Sequence, residues 1–343
     1  QSFVHLRTHT GYSVVDGLCQ IKALVGAAKE AQMPAVTVAD HMNLFGLVKF
    51  YKAATGAGIK PICGADIIVL DEANSKEPFA LTLLAQDALG YRNLMELISL
   101  GYEQGQNFIL DKVIVKKEWL FEKTAGLIVL SGAGKGDVGK ALLSDNDNAE
   151  ALLLEWMENY PDRFYIELQR TGRAGENELI ERSVNLAEKV GCPVVATNDV
   201  MFVKASDFDA HEARVCINQS RVLDDPKRPR DYSEQQYFRT SEEMCELFSD
   251  IPSALENTLH IAKRCNIELD LGTYYLPKYP IPDGMTMDEY FRDVSEKGLE
   301  ERLAVILDKA DPEFDAKRAL YYERLEFELE IIIQMGFPGY FLI

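Results

Sequence analysis

The sequence predicts an α/β fold: seven short strands with helical crossovers, a set that fits a (β/α) barrel better than an open sheet, followed by a helical carboxyl-terminal extension. Up to about residue 215, short apolar runs alternate with amphipathic helical stretches, the pattern of repeated βα units. The runs are apolar at successive positions, which predicts strands buried on both faces in a parallel sheet. Polar residues recur where the runs end, and in (β/α) barrels chemistry gathers at the carboxyl ends of the strands.

The first strand is Phe3–Arg7, followed by His9 and Asp16. Ala35–Ala39 is the second and leads into Asp40-His41. Ile62–Leu70 is the third, with Asp66 inside it, and Phe79–Ala85, Leu127–Ser131 and Phe164–Gln169 are the next three. Val194–Thr197 is the seventh and leads into Asn198-Asp199. Helices are expected over Ile21–Ala31, Leu44–Thr55, Tyr91–Tyr102, Ala149–Tyr160 and Asn177–Val190. Beyond the proline-marked loop Leu223–Arg230 come helices opening at Ser241-Glu242-Glu243-Met244 and spanning Pro252–Cys265. A second break at Tyr279–Gly284 precedes helical segments Met287–Leu307 and Asp315–Met335. The apolar, aromatic ending Gly336–Ile343 reads as a cut from a longer polypeptide.

Composition narrows the function. The 343 residues carry 55 acidic against 36 basic side chains, a net charge of −19, which argues against a chain that grips nucleic acid by itself. The one compact basic run, Lys227-Arg228-Pro229-Arg230, reads as a solvated loop. Six scattered cysteines form no CxxC pair and read as reduced and structural. Neither a leader nor a bilayer-length apolar run is visible, so a soluble, cytoplasmic protein is expected.

The opening run His5-Leu-Arg7-Thr-His9 is the most informative stretch. Strand alternation would aim positions 5, 7 and 9 at one site, and three imidazoles there would suit zinc, iron or manganese. The middle position is instead an arginine, whose guanidinium is permanently cationic and cannot coordinate a metal. The chain keeps the frame of a metal site while losing a ligand.

His5-Leu-Arg7-Thr-His9-Thr, Tyr12-Ser13-Val-Val-Asp16-Gly17, Ala39-Asp40-His41-Met-Asn43-Leu-Phe-Gly46, Ile62-Cys-Gly-Ala-Asp66, Val195-Ala-Thr-Asn-Asp199 and Met335-Gly-Phe-Pro-Gly-Tyr340 resemble the alpha subunits of bacterial replicative DNA polymerase III. The resemblance runs over the whole chain and corresponds to the amino-terminal part of such a subunit. It implies a polymerase-and-histidinol-phosphatase (PHP) domain over residues 1–270, a distorted seven-stranded barrel, and the helical start of the polymerase palm over 271–343. The palm carboxylates that use magnesium would lie beyond Ile343, so no cofactor is expected in this fragment and no DNA synthesis by it. DNA would be contacted mainly by domains outside the fragment, and no membrane contact is expected.

Family members with an intact PHP site hold up to three metals with nine residues and carry phosphoesterase or 3′–5′ exonuclease activity. His9, Asp16, His41 and Asp199 match that set, and Asp66 stands where glutamate is usual. Arg7 and Met201 replace histidines, Ala80 stands where a histidine follows the fourth strand, and Ala133 replaces a cysteine. Alanine offers no donor atom and a thioether suits hard cations poorly. Arg7 is expected to neutralise Asp16, Asp66 and Asp199 in a metal's place, leaving no catalytic residue in the fragment. The resemblance then implies a structural PHP platform that supports the palm and docks a separate proofreading exonuclease among the other replicase subunits.

The competing reading is a metal-dependent phosphoesterase or 3′–5′ exonuclease that uses the five remaining ligands, His9, Asp16, His41, Asp66 and Asp199, with any metal held by His9, His41, Asp66 and Asp199. An unrelated amidohydrolase on a similar barrel is a third. Other features carry less. His211 reads as a packing or capping residue near the start of a helix with Ser206 or Asp207 as its N-cap, and His260 has no acidic surroundings. Gly132-Ala133-Gly134-Lys135-Gly136 lacks the Ser/Thr of a Walker loop, although its N–H groups could bind an anion. Ser13 fits no catalytic triad.

Overall fold

The computed structural model describes residues 2–72, 77–107, 112–144, 148–273 and 275–343. Its strands are β1 (Ala35–His41), β2 (Lys60–Leu70), β3 (Phe79–Ala85), β4 (Gln106–Asn107), β5 (Lys112–Val113), β6 (Val115–Lys116), β7 (Leu127–Leu130), β8 (Phe164–Gln169) and β9 (Val194–Thr197). The sheet runs β1-β2-β3-β7-β8-β9, with β6 beside the end of β2; β4 and β5 pair separately. It curls with helices packed outside, the α/β class expected from the sequence.

The sheet is mixed, where a parallel one was expected. Pairs β1–β2, β7–β8 and β8–β9 are parallel, but β3 runs antiparallel to both β2 and β7. Only residues 71–78 join β2 to β3, and a parallel crossover needs a dozen or more residues.

The expected first strand is an extended strap rather than a ladder strand. Thr37 N donates to His5 O (3.1 Å) and Ala39 N to Thr8 O (2.9 Å), while His9 N donates to Val200 O (2.9 Å) and Val200 N to Arg7 O (3.2 Å). The strap therefore bonds to β1 on one side and to the chain leaving β9 on the other, and so closes the ring. Too few bonds fall on either side for a regular strand; Thr8 opposite Val200 is an isolated bridge.

Inside the ring, every strand of the main path contributes to an apolar layer of Val4, Leu6, Ala35, Ile62, Leu84, Ile128, Leu130, Tyr165 and Val195. The helix Pro252–Arg264 supplies Ile261 and Ala262 to this layer. Its Thr258 hydroxyl accepts from Val4 N (3.3 Å) and its Asn257 amide donates to Val194 O (2.8 Å). Burying such side chains stabilises by about 1.5–3 kcal/mol each, which fixes the floor under the polar residues above.

The chain divides into two units, Gln1–Glu268 and Leu269–Ile343. The second holds helices Met287–Ile306, Phe314–Gln334 and Pro338–Leu342. Thr286 and Glu289 form a capping box at the first of these, and Arg292 bonds to Glu326 on the second (2.6 Å). No helix among the described residues is long and apolar enough to cross a membrane.

Candidate functional site

Along the strands, the positions facing the ring interior switch from apolar to polar. Ile62 gives way to Asp66 on β2, Tyr165 to Glu167 on β8, and Val195 to Thr197 on β9. On β3, which runs the other way, Thr82 precedes Leu84. Because side chains alternate with period two, one end of the interior is apolar and the other is a ring of acids, hydroxyls and histidines at the carboxyl ends of the parallel strands.

Arg7 lies at the centre of this polar end, 2% exposed. Its Nε and Nη2 both donate to Asp66 Oδ2, at 2.9 and 2.8 Å, and Nη1 donates to Glu167 Oε1 at 3.3 Å. Asp199 Oδ1 is 3.5 Å from Nε. Thr82 donates to the other Asp66 oxygen at 2.5 Å, and Glu167 also accepts from Gln169 at 2.8 Å and from the Thr197 hydroxyl. Burial pushes the carboxyls of Asp66 and Asp199 up, but Arg7 with His9 outweighs it at Asp66, and Arg7 with Lys135 and Arg173 at Asp199, holding both well below the usual range.

His9 is wholly buried, with Nε2 2.8 Å from Asp66 Oδ2 and Nδ1 3.0 Å from Val200 O. Both ring nitrogens face acceptors, so the ring is held as imidazolium. Burial lowers its pKa, but Asp66 and Asp199 raise it to about 9. His41 stacks on His9 with centroids 4.5 Å apart and reaches Asp16 Oδ1 at 3.2 Å. Asp16 also accepts from Tyr232 Oη (2.7 Å); burial pushes its carboxyl up, and His41 holds it down.

Asp199 sits at φ 46°, a left-handed conformation that costs an L-residue energy but suits Asp better than most. The turn aims one oxygen at Arg7 and the other at Arg173 Nη1 (3.2 Å) and Gln236 Nε2 (3.2 Å). Lys135 Nζ, half-exposed, stands 3.8 Å from the same oxygen. A cavity of about 670 Å³ opens here, lined by Ala133, Lys135, Glu167, Arg173, Arg230 and Tyr232, among others. The glycine-rich loop makes its rim as a 3₁₀ turn, Ala133–Lys135. Gly132 enters it at φ 75°, where a Cβ would stand 2.0 Å from Ala80 O.

Residues 5–171 match the PHP domain family, and residues 289–343 match the family described as bacterial DNA polymerase III alpha NTPase domain. Over all 343 residues the chain is 56% identical to DNA polymerase III subunit alpha of Pseudomonas aeruginosa. It is 51% identical to that of Escherichia coli over 342 residues, 99% of this chain. The chain belongs to the bacterial DNA polymerase III alpha-subunit family. It spans 29% of the length of each of these alpha subunits. A solved amidohydrolase from Chromobacterium violaceum overlays on 58% of the chain and 88% of its own, at TM-score 0.39 and 12% identity, too distant to bear on function.

In this alpha-subunit chain the positions read from the sequence fall in two groups. Arg7, His9, Asp66 and Asp199 form one buried ion cluster, and Asp16 and His41 form an adjoining pair. Asp16 is therefore not a partner of Arg7, contrary to expectation: the loop carrying it turns it toward His41 and Tyr232. His5 does not join either group. Its ring lies against Phe3 and Phe238 and its Nε2 bonds to Arg239 O (2.8 Å), because the irregular strap does not keep strand alternation. Asp40 is tied up by Thr10 and Ser13 and holds the loop after the strap.

Of the replaced positions, Ala80 shares the face of β3 that carries Thr82, Ala133 lines the cavity, and Met201 is fully buried. His211 packs against Phe202 and Tyr232. Asp207 precedes the helix Phe208–Asn218 without a side-chain cap bond to it. Arg228 of the basic run is half-buried and paired with Glu212 rather than freely solvated. Sequence reading missed Glu167, whose signal was the one acid in the largely apolar strand Phe164–Gln169, and also Tyr232, Arg173 and Thr82.

The donor set does not fit a three-ion cluster. Asp66 Oδ2 already accepts from Arg7 and His9, and a doubly protonated His9 has no lone pair to offer. His9, His41 and Asp66 do bring one ligand atom each within 4.8 Å of one another, enough for a single ion were His9 to give up a proton.

Proposed function

We propose that this chain is a PHP domain whose metal pocket has been converted into a buried ion cluster without phosphoesterase activity. Within a DNA polymerase III alpha subunit it supports the palm and gives a docking platform to a separate proofreading exonuclease and the other replicase subunits. In a protein of its relatives' length, magnesium-dependent DNA synthesis would belong to regions outside these residues, in the cytoplasm. The observation that carries this reading is Arg7, whose guanidinium stands among Asp66, Glu167 and Asp199. A fixed cation there repels a metal ion while compensating the acids that would bind it.

The test is metal analysis of protein purified without chelator, together with hydrolysis of bis-p-nitrophenyl phosphate with and without manganese or zinc. Substoichiometric metal and no metal-stimulated turnover are expected. Two or more tightly held equivalents, or turnover abolished by His9→Ala, would overturn the reading. Docking is checked by co-elution of the chain with the exonuclease. The convergence of His9, His41 and Asp66 favours a second reading, a single-ion phosphoesterase, which predicts one equivalent of metal lost in His41→Ala.

A further inference from the structure

A second cavity, of about 580 Å³, is bordered by Gly11 and Tyr12 of the loop that carries Asp16, and none of the ion-cluster residues lines it. Its walls include Tyr12, Ile21, Lys22, Lys49, Ala53 and Arg214, and of its lining residues three are cations and none is an acid. That is unusual in a chain of net charge −19. Among the described residues, none of the three cations has a carboxylate partner. Lys49 Nζ rests on Tyr12 Oη (2.9 Å), Arg214 donates to the carbonyls of Gly11 (3.0 Å) and Val14 (3.1 Å), and no bond is made by the Lys22 side chain. Asp40 is already engaged by Thr10 and Ser13, and Asp207 by Lys204 N (3.0 Å).

The cavity also receives the amino terminus of the helix Ile21–Glu30, which has no side-chain cap at Gln20 and no acid in its first turn. Its free N–H groups and the positive end of its dipole add to the cations. The rest of the wall includes the aromatic ring of Tyr12 and the apolar Ile21 and Ala53. Tyr12 packs closely on Gly46, where a Cβ would stand 2.7 Å from Tyr12 Cδ2, and Lys49 Nζ lies 5.6 Å from its ring centroid.

We propose that the cavity bounded by Tyr12, Lys22, Lys49 and Arg214 binds a nucleoside monophosphate. Its phosphate would sit on the helix terminus and the cations, and its base against Tyr12 and Ile21. The volume falls within the range of small-molecule sites, Lys and Arg with backbone N–H groups are the usual partners of phosphate, and an aromatic face suits a planar ring.

The test is calorimetric titration of the 343-residue chain with AMP, inorganic phosphate and adenosine. AMP should bind most tightly, phosphate more weakly, and adenosine at least about tenfold more weakly than AMP. The exposed double variant Lys22→Glu/Lys49→Glu should lose AMP and phosphate binding by about tenfold or more, whereas Lys29→Glu, at the other end of the same helix, should bind as the parent does. Tyr12→Ala should weaken AMP and leave phosphate little changed. Absence of saturable AMP binding, adenosine binding as tightly as AMP, or unaltered affinity in the double variant would each overturn the proposal.

Discussion

Arg7 places two of its N–H groups on a single oxygen of Asp66, at 2.9 and 2.8 Å, where the two side chains are 2% and 3% exposed. A buried pair of this kind does not owe its presence to net stability, since desolvating both charges offsets most of their attraction. Its significance is that neither charge can be left alone. The strap residue Arg7 and the β2 residue Asp66 therefore fix each other, and Glu167 and Asp199 fix the remaining sides of the guanidinium.

Arg7→Ala should lower stability by about 3–5 kcal/mol at pH 7, the cost of stranding buried acids. Arg7 holds the carboxyls of Asp66 and Asp199 down, so its loss lets them rise, and the deficit should shrink as pH falls and they protonate. Urea unfolding at neutral and acid pH checks both the size and the trend. A variant as stable as the parent at pH 7 would contradict the buried-cluster assignment.

Asp66→Asn and Glu167→Gln should differ. Asp66 serves Arg7, His9 and Thr82 together, so its neutralisation leaves two cations short of a partner and should cost about 3–5 kcal/mol. Glu167 meets Arg7 at the longer 3.3 Å and the amide still accepts from Gln169, so about 1 kcal/mol is expected. Thermal unfolding of the two variants side by side decides the order.

Stability should fall on both sides of a plateau. His9 has its pKa raised to about 9 from an unfolded value near 6.5, so its contribution is complete below about pH 6.5 and is lost as pH climbs toward 9, up to about 3 kcal/mol. Asp16, Asp66 and Asp199 have lowered pKa values; their contribution is complete above about pH 4 and is lost as pH drops below it. In His9→Asn the alkaline limb should flatten while the acid limb persists. A pH series of denaturant midpoints reads both limbs.

A chain ending at Glu268, the last residue of the first unit, should unfold in a single cooperative transition. The apolar layer from Val4 to Val195, with Ile261 and Ala262, lies wholly within it. Calorimetric and van't Hoff enthalpies should agree; a broad, non-cooperative transition would show that residues 269–343 are needed for the barrel to fold.

Much of this site can be read without a structure. Apolar runs mark the strands, their polar ends mark the chemistry, and His9, Asp16, His41, Asp66 and Asp199 can be picked out by type and position. Arg7, read against the pattern of a metal site, already signals a cation in a ligand's place. These are local properties, because side-chain period and residue chemistry are written along a few consecutive residues.

Tertiary structure alone decided who meets whom. Glu167 joins Arg7 across 160 positions and Tyr232 joins Asp16 across 216, distances at which period-two patterning carries no information about register or depth. The same limit explains the reversed β3, the strap that closes the ring without alternating as a strand, and the turning of Asp16 toward His41. A side chain's face follows from its own neighbours in sequence, but its partner depends on how the whole ring closes, and only the folded chain fixes that.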